Sequence, residues 1–180
     1  MKIETFTMSI TVNSKVIPPQ ELPVGTKMIE YLQEYLDLTG TRLSCGAAQC
    51  RACSVIVDAD DGSSDEMVTC IMDASFFNGK KIRTIEGHAT YNEKGEVVKL
   101  SPVQEKFLEY FSFQCGYCTP GFVNAATVLI EKLKKAPVPK DQVEKVIMEA
   151  LDSHICRCSG YVRYFDAVKD LVLNTRGLTT

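Results

Sequence analysis

The chain has 180 residues, 45% hydrophobic and 24% charged, with a net charge of −3. Such a chain is too apolar and too weakly charged to stay disordered, and 20 Lys+Arg against 23 Asp+Glu leave no positive surplus for a nucleic-acid backbone. Its eight cysteines exceed ordinary cytosolic usage yet fall short of a small disulfide scaffold, where about 8–10% is typical.

The first ninety residues read as strands around one helix. Thr5 to Val12 alternates, with Phe6, Met8, Ile10 and Val12 on one face, which is the period of a half-buried strand. Asn13-Ser14-Lys15 predicts a turn, and Val16-Ile17 a return strand stopped by Pro18-Pro19. Thr26 is the expected N-cap of a helix carrying Met28, Ile29, Leu32, Tyr35 and Leu36 and closed by Gly40. Ser54 to Val57 and Met67 to Thr69 are short apolar strands. Together these predict a small α+β domain of the β-grasp kind.

Gly87 to Gly95 is polar and turn-rich and reads as a linker, with His88 on its surface. Beyond it the pattern turns helical. Ser101-Pro102 and Thr119-Pro120 are start signals, each followed by an apolar stripe (Val103, Phe107, Leu108, Phe111; then Phe122, Ala125, Ala126, Leu129, Ile130, Leu133). A third helix follows Pro137 and Pro139 with Val143, Val146, Ile147 and Leu151, and a fourth runs roughly over residues 164–173. The expected organisation is a β-grasp domain over 1–88 and a helical domain over 89–180, the latter a compact four-helix bundle. Phe107, Tyr110, Phe111 and Phe113, at helical spacing, read as core.

The cysteines divide into two sets of four. Cys45, Cys50 and Cys53 have the spacing C-x4-C-x2-C, and Cys70 follows after sixteen intervening residues. This is the plant-type spacing for a [2Fe–2S] cluster, with three thiolates on one wrapping loop and the fourth from elsewhere. Ser44, Gly46, Ala47 and Ala48 keep that loop small, freeing backbone N–H groups for the sulfurs. Cys115 and Cys118, with Cys156 and Cys158, make two close pairs beside predicted helices. By spacing alone the second set suits either an iron–sulfur cluster or a structural zinc ion.

The stretch Gln114-Cys115-Gly116-Tyr117-Cys118-Thr119-Pro120-Gly121, followed by Cys156-Arg157-Cys158-Ser159-Gly160-Tyr161, resembles the signature of the iron–sulfur subunit of the molybdenum hydroxylases, the xanthine dehydrogenase and aldehyde oxidoreductase family. Ser101-Pro102-Val103-Gln104-Glu105, Phe113 and Leu38-Thr39-Gly40-Thr41 resemble it too, so the likeness covers essentially the whole chain. The resemblance implies a ferredoxin-like β-grasp domain followed by a four-helix bundle, each with a [2Fe–2S] cluster, and a large partner subunit holding a molybdopterin cofactor. Electrons would enter at the Cys115/Cys118/Cys156/Cys158 cluster, pass to the Cys45/Cys50/Cys53/Cys70 cluster, and leave to a flavin subunit or a cytochrome. It also implies that Gln114 and Cys158 lie against the pterin. The chain departs from the family pattern at Arg51, where Gly is usual, at Ala47-Ala48, and at Ser153-His154, where Gly-Asn is common; the stretch between Cys118 and Cys156 is a few residues longer than the family's. No departure removes a ligand.

Arg51 beside Cys50 either raises the potential of the first cluster or is a surface arginine screened by water. His154 reads as a packing or solvent-facing residue beside four sufficient cysteines, and Asp58, Asp60, Asp61, Asp65 and Glu66 as a solvated turn. Arg157 and Arg163 suit a pterin phosphate or a subunit contact equally. The chain carries no G-x-S-x-G, H-E-x-x-H, phosphate loop or dinucleotide fingerprint, so no catalytic residue is expected. The amino terminus lacks a signal-peptide core, and no run approaches the ~18 apolar residues that span a bilayer. The expected setting is cytoplasmic, without direct membrane insertion or nucleic acid, where clustered thiols bind metal. The expected function is an electron-transfer subunit of a molybdopterin-dependent hydroxylase. The alternatives are a free-standing two-cluster electron carrier and a zinc-stabilised adaptor.

Overall fold

Alternation carries β1 (Thr5–Val12) into the fold, burying Met8, Ile10 and Val12 and leaving Thr5, Thr7 and Ser9 outside. The structure is a computed structural model that describes residues 3–180. Asn13 and Ser14, at φ +51° and +65°, turn the chain into β2 (Lys15–Pro23). Pro18 and Pro19 do not stop this strand. β2 lies at the edge of the sheet, where a missing N–H is tolerated, and the register slips between Met8 and Ile10 opposite the two prolines.

The predicted helix is shorter than its pattern. It begins after Lys27 as α1 (Met28–Glu30) and continues as a π-helical turn, Tyr31–Tyr35, with Leu36 N–H donating to the Tyr31 carbonyl at 3.2 Å. Asp37, at φ +55°, ends it well before Gly40. Thr26 is not the cap, because its hydroxyl donates to the Pro23 carbonyl at 2.8 Å. β3 (Ser54–Asp58), β4 (Ser64–Val68) and β5 (Lys81–Arg83) complete a mixed sheet in the order β2-β1-β5-β3-β4, with β1 and β5 parallel and the other pairs antiparallel. Met8, Leu22, Tyr31, Leu32, Val55, Phe77 and Ile82 form its core.

The predicted linker contains a strand of its own, β6 (Thr90–Tyr91), which pairs with β7 (Val97–Lys99). Four helices follow: α2 (Pro102–Glu109), α3 (Thr119–Lys135), α4 (Val143–Leu151) and α5 (Val162–Asn174). Ser101 caps α2 through a reciprocal pair of bonds, Gln104 N to Ser101 Oγ at 3.3 Å and Ser101 N to Gln104 Oε1 at 2.9 Å. Such a cap stabilises a helix by about 1 kcal/mol. Thr119 does not cap α3. Cys118 holds that position, and the Thr119 hydroxyl meets the Tyr164 hydroxyl at 2.8 Å. Phe107, Phe122, Leu129, Ile147, Tyr164 and Val168 lie in one apolar core. Phe111 departs from the core reading, being 73% exposed at φ +48°. The chain is thus mixed α+β, with sheet and helices each around a core of their own.

The two halves meet along a polar seam where α3 crosses β3 and β4. Arg83 forks between Asp58, at 2.7 and 3.0 Å, and Glu131 of α3, at 2.7 and 2.9 Å. Ser64 Oγ donates to Glu131 at 2.6 Å, Asn124 Nδ2 to the Ser54 carbonyl at 2.8 Å, and Lys132 Nζ to Asp65 at 2.7 Å. The acidic run is therefore no free solvated turn, since Asp58, Asp60, Asp65 and Glu66 all pair with cations or His154. His88 is not linker surface either. Its Nε2 lies 2.7 Å from Asn124 Oδ1, and burial pushes its pKa down.

Burial alone would push the Glu131 carboxyl up, yet its bonds from Arg83 and Ser64 hold it below the usual carboxylate value of 4.5. A depressed carboxyl contributes stability above its unfolded pKa and loses it as pH falls through the folded one. The difference in melting temperature between the protein and Glu131→Gln is therefore expected to be widest near about pH 7 and to close below about pH 4. Thermal melts of both proteins across that range measure it, and a pH-independent difference would contradict the assignment.

Candidate metal centres

The first candidate centre is built by the loop between the π-helical turn and β3. Gly46, Ala48 and Arg51 take left-handed conformations at φ +63°, +59° and +54°, which curl the loop that carries Cys45, Cys50 and Cys53. Two of those three are not glycine, a conformation that costs about 1 kcal/mol or more per residue. Cys70 arrives from the end of β4, and Thr69 beside it donates to the Cys53 carbonyl at 2.7 Å, pinning loop to strand. Ile29 packs against Cys53 and Cys70. Cys50, Cys53 and Cys70 are buried and Cys45 is exposed.

Ala47 N and Cys50 N point at Cys45 Sγ from 3.4 and 3.5 Å. These backbone bonds lower the Cys45 pKa to about 6 and favour its thiolate. Burial moves Cys53 the other way, upward.

The second candidate centre joins the start of α3 to the loop before α5. Cys118 sits buried at the N-cap of α3, where burial pushes its thiol up to about 12. Tyr164 of α5 places its hydroxyl 3.6 Å from Cys118 Sγ and stacks flat on Phe122 with centroids 4.0 Å apart. Cys156 is buried, and although burial raises its pKa, the Ser159 hydroxyl at 3.0 Å and N–H at 3.4 Å bring it below the usual thiol value. Cys115 and Cys158 are exposed, their sulfurs 3.5 Å apart, with Gln114 exposed beside them.

The thiols gather two by two. Cys45 faces Cys50, Cys53 faces Cys70, Cys118 faces Cys156 and Cys115 faces Cys158. Among the described residues no three Cys, His, Asp or Glu side chains converge on one metal ion. A zinc ion draws four donors to about 2.3 Å of a single point. A two-iron cluster takes two thiolates on each iron, so two pairs facing each other, with backbone N–H groups on the sulfurs, fit it.

The two centres adjoin. Ile155 N donates to the Cys50 carbonyl at 3.3 Å, and the Tyr117 hydroxyl donates to the Leu43 carbonyl. His154 is neither ligand nor surface: it is 1% exposed, 2.8 Å from Glu66 and packed on Phe122. Arg163 donates to the Phe111 carbonyl at 3.2 Å, holding the exposed turn before Gln114. Sequence reading missed Tyr164, Asn124 and Glu66. A lone Asn inside the apolar stripe from Phe122 to Leu133 was the visible sign of the seam.

Residues 10–77 match the 2Fe-2S iron-sulfur cluster binding domain family, and residues 84–169 match the [2Fe-2S] binding domain family. The second match removes zinc as the reading of the second set. The xanthine dehydrogenase iron-sulfur-binding subunit of Escherichia coli O157:H7 is 34% identical, over 93% of this chain and 94% of that protein. Aldehyde oxidase 1 of Cavia porcellus is 31% identical over 93% of this chain, which spans only 12% of that longer protein. A crystal structure of quinoline 2-oxidoreductase from Pseudomonas putida 86 superposes with a TM-score of 0.74 and 29% identity, covering 92% of this chain and 91% of the matched one. With both cysteine sets inside matched domains and a relative of its own length, the chain belongs to the [2Fe–2S] iron–sulfur subunits of the molybdenum hydroxylase family, of xanthine dehydrogenase and aldehyde oxidoreductase type.

Proposed function

We propose that this chain carries electrons within a cytoplasmic molybdopterin-dependent hydroxylase or dehydrogenase, between a large molybdopterin-binding subunit and a flavin subunit or cytochrome. Cys45, Cys50, Cys53 and Cys70 hold one [2Fe–2S] cluster, and Cys115, Cys118, Cys156 and Cys158 hold the other. Each cluster, when bound, supplies a one-electron store. The finer architecture is a β-grasp domain over 1–88 followed by a four-helix bundle over 89–180.

One observation carries this reading: each cysteine set has one exposed edge and one buried side. Cys45 is exposed on the first set and Cys115 with Cys158 on the second, while the loops that hold the buried cysteines touch through Cys50 and Ile155. A conduit needs that arrangement, with two open ends and a closed middle. Gln114 and Cys158 at the second open edge would meet the pterin of the partner, and Cys45 at the first would meet the acceptor. Buried walls between the edges keep water from the sulfurs, and the Ala47, Cys50 and Ser159 N–H groups stabilise thiolate charge.

Among the described residues no helix is long and apolar enough to cross a membrane. The deciding experiment is purification of the tagged chain from its native host. Co-purification of a large molybdenum-containing subunit, with iron and acid-labile sulfide near about four each per chain, is expected. A stable monomer that carries both clusters and no partner would overturn the subunit reading in favour of a free-standing carrier.

A further inference from the structure

Between the two cysteine loops stands one carboxylate that reaches both. Glu66 extends from β4, where it pairs with Ile56 of β3, so its backbone is fixed by the sheet. Its Oε1 lies 2.8 Å from His154 Nε2 and its Oε2 lies 3.7 Å from Arg51 Nη1. Arg51 directly follows Cys50, and His154 stands two residues before Cys156. The Glu66 side chain is 12% exposed, His154 1% and Arg51 34%, so water screens this junction only partly. Two further contacts close it. Ile155 N donates to the Cys50 carbonyl, and Gly121 sits so near the Arg51 carbonyl and the His154 ring that a Cβ there would meet both within 3.2 Å.

From this geometry we infer that Glu66 is a positioning residue that holds the two cluster loops in register and sets the reduction potential of the Cys45/Cys50/Cys53/Cys70 cluster by offsetting the charge of Arg51. This rests on the reading that the cysteine sets hold [2Fe–2S] clusters. The physical argument is short. Reduction adds a negative charge to a cluster, so a cation beside Cys50 makes reduction easier and an anion beside that cation takes part of the effect away. Glu66 is the carboxylate that meets both Arg51 and His154. Its charge and its bonding are separable. Glu66→Gln keeps an oxygen that accepts from His154 while removing the charge and the acceptor that face Arg51; Glu66→Ala removes the His154 bond as well.

The test is an EPR-monitored redox titration of the assembled complex. Two [2Fe–2S] signals in the unaltered protein establish the clusters, and the absence of either overturns the cluster reading rather than the role of Glu66. In Glu66→Gln the Cys45/Cys50/Cys53/Cys70 cluster is expected to become about three- to tenfold easier to reduce, a positive shift of up to about 59 mV for a one-electron couple. Arg51→Gly, which glycine accommodates at φ +54°, is expected to shift it the opposite way. The double variant is expected to return within about twofold of the original. Glu66→Ala is expected to broaden both EPR signals as the loops lose register, whereas Glu66→Gln leaves their g-values unchanged. A midpoint unmoved in Glu66→Gln, or shifts of one sign in Glu66→Gln and Arg51→Gly, would overturn the inference. Should Glu66→Gln fail to load its clusters, an unmoved midpoint in Arg51→Gly decides against the charge balance by itself.

Discussion

Cys118→Ser is expected to abolish one of two [2Fe–2S] EPR signals and leave the other, with iron falling from about four to about two per chain. Cys118 is buried at the N-cap of α3 and faces Cys156, so its loss strips one iron of a thiolate and nothing nearby replaces it. Serine oxygen is a harder donor and reaches less far than sulfur, which disfavours iron–sulfur assembly. The other set is built on a separate loop and on β4, closed by the Thr69 bond to Cys53, and it owes none of its donors to the helical half. The remaining signal therefore keeps its g-values and intensity. Loss of both signals would mean that the sets assemble as one cooperative unit. Retention of both would remove Cys118 from the ligand set. Stability falls as well, because an assembled centre ties the start of α3 to the loop before α5, and metal-binding free energy is folding free energy in such sites.

Cysteine spacing and apolar period made the two sites and most of the elements legible before any coordinates. Ligands on one loop leave a local record, and so does a capping box such as Ser101 with Gln104. What stayed hidden was non-local. The helix expected to run to Gly40 became a short helix and a π-helical turn because the chain must swing back toward the cysteine loop, and no pattern within it records that demand. Pro18 and Pro19 looked like a stop because a sequence does not say which strand will be an edge. Asp58, Asp65, Glu66, His88 and His154 looked like solvated or bland positions because their partners (Arg83, Lys132, Arg51, Asn124 and, for His154, Glu66 itself) lie far away in the chain or on the other half of the fold. The seam between halves is polar, and polar residues in a sequence read as surface until their partners are seen. Thus the cysteine sets were readable and their setting was not, since a setting depends on which surfaces meet.

That meeting is most exposed to a single methyl group at Gly121. A Cβ there would stand 2.4 Å from the Arg51 carbonyl oxygen, 3.2 Å from its carbon and 3.2 Å from His154 Cδ2. The first two are backbone atoms in the loop beside Cys50, whose carbonyl already accepts from Ile155 N. They are further held by the Ser54 N bond to the Arg51 carbonyl at 3.2 Å. The clash has no flexible side-chain end to push aside, so relief requires α3 or the cysteine loop to move. Gly121→Ala is therefore expected to destabilise the protein by about 1–3 kcal/mol, the range for over-packed interiors. At roughly 2–4 °C per kcal/mol for a chain of this size, the melting temperature falls by about 2–12 °C. In an exposed helix the same change would stabilise by up to about 1 kcal/mol through helix propensity, so the sign of the effect separates a packed junction from a free helix start. A redox consequence should accompany it, because the methyl group pries apart the loops that carry Cys50 and Cys156 and displaces Arg51 from Glu66. Thermal melts and an EPR titration on one preparation read both effects, and a melting temperature equal to or above that of the unaltered protein would show that the two loops do not press together at Gly121.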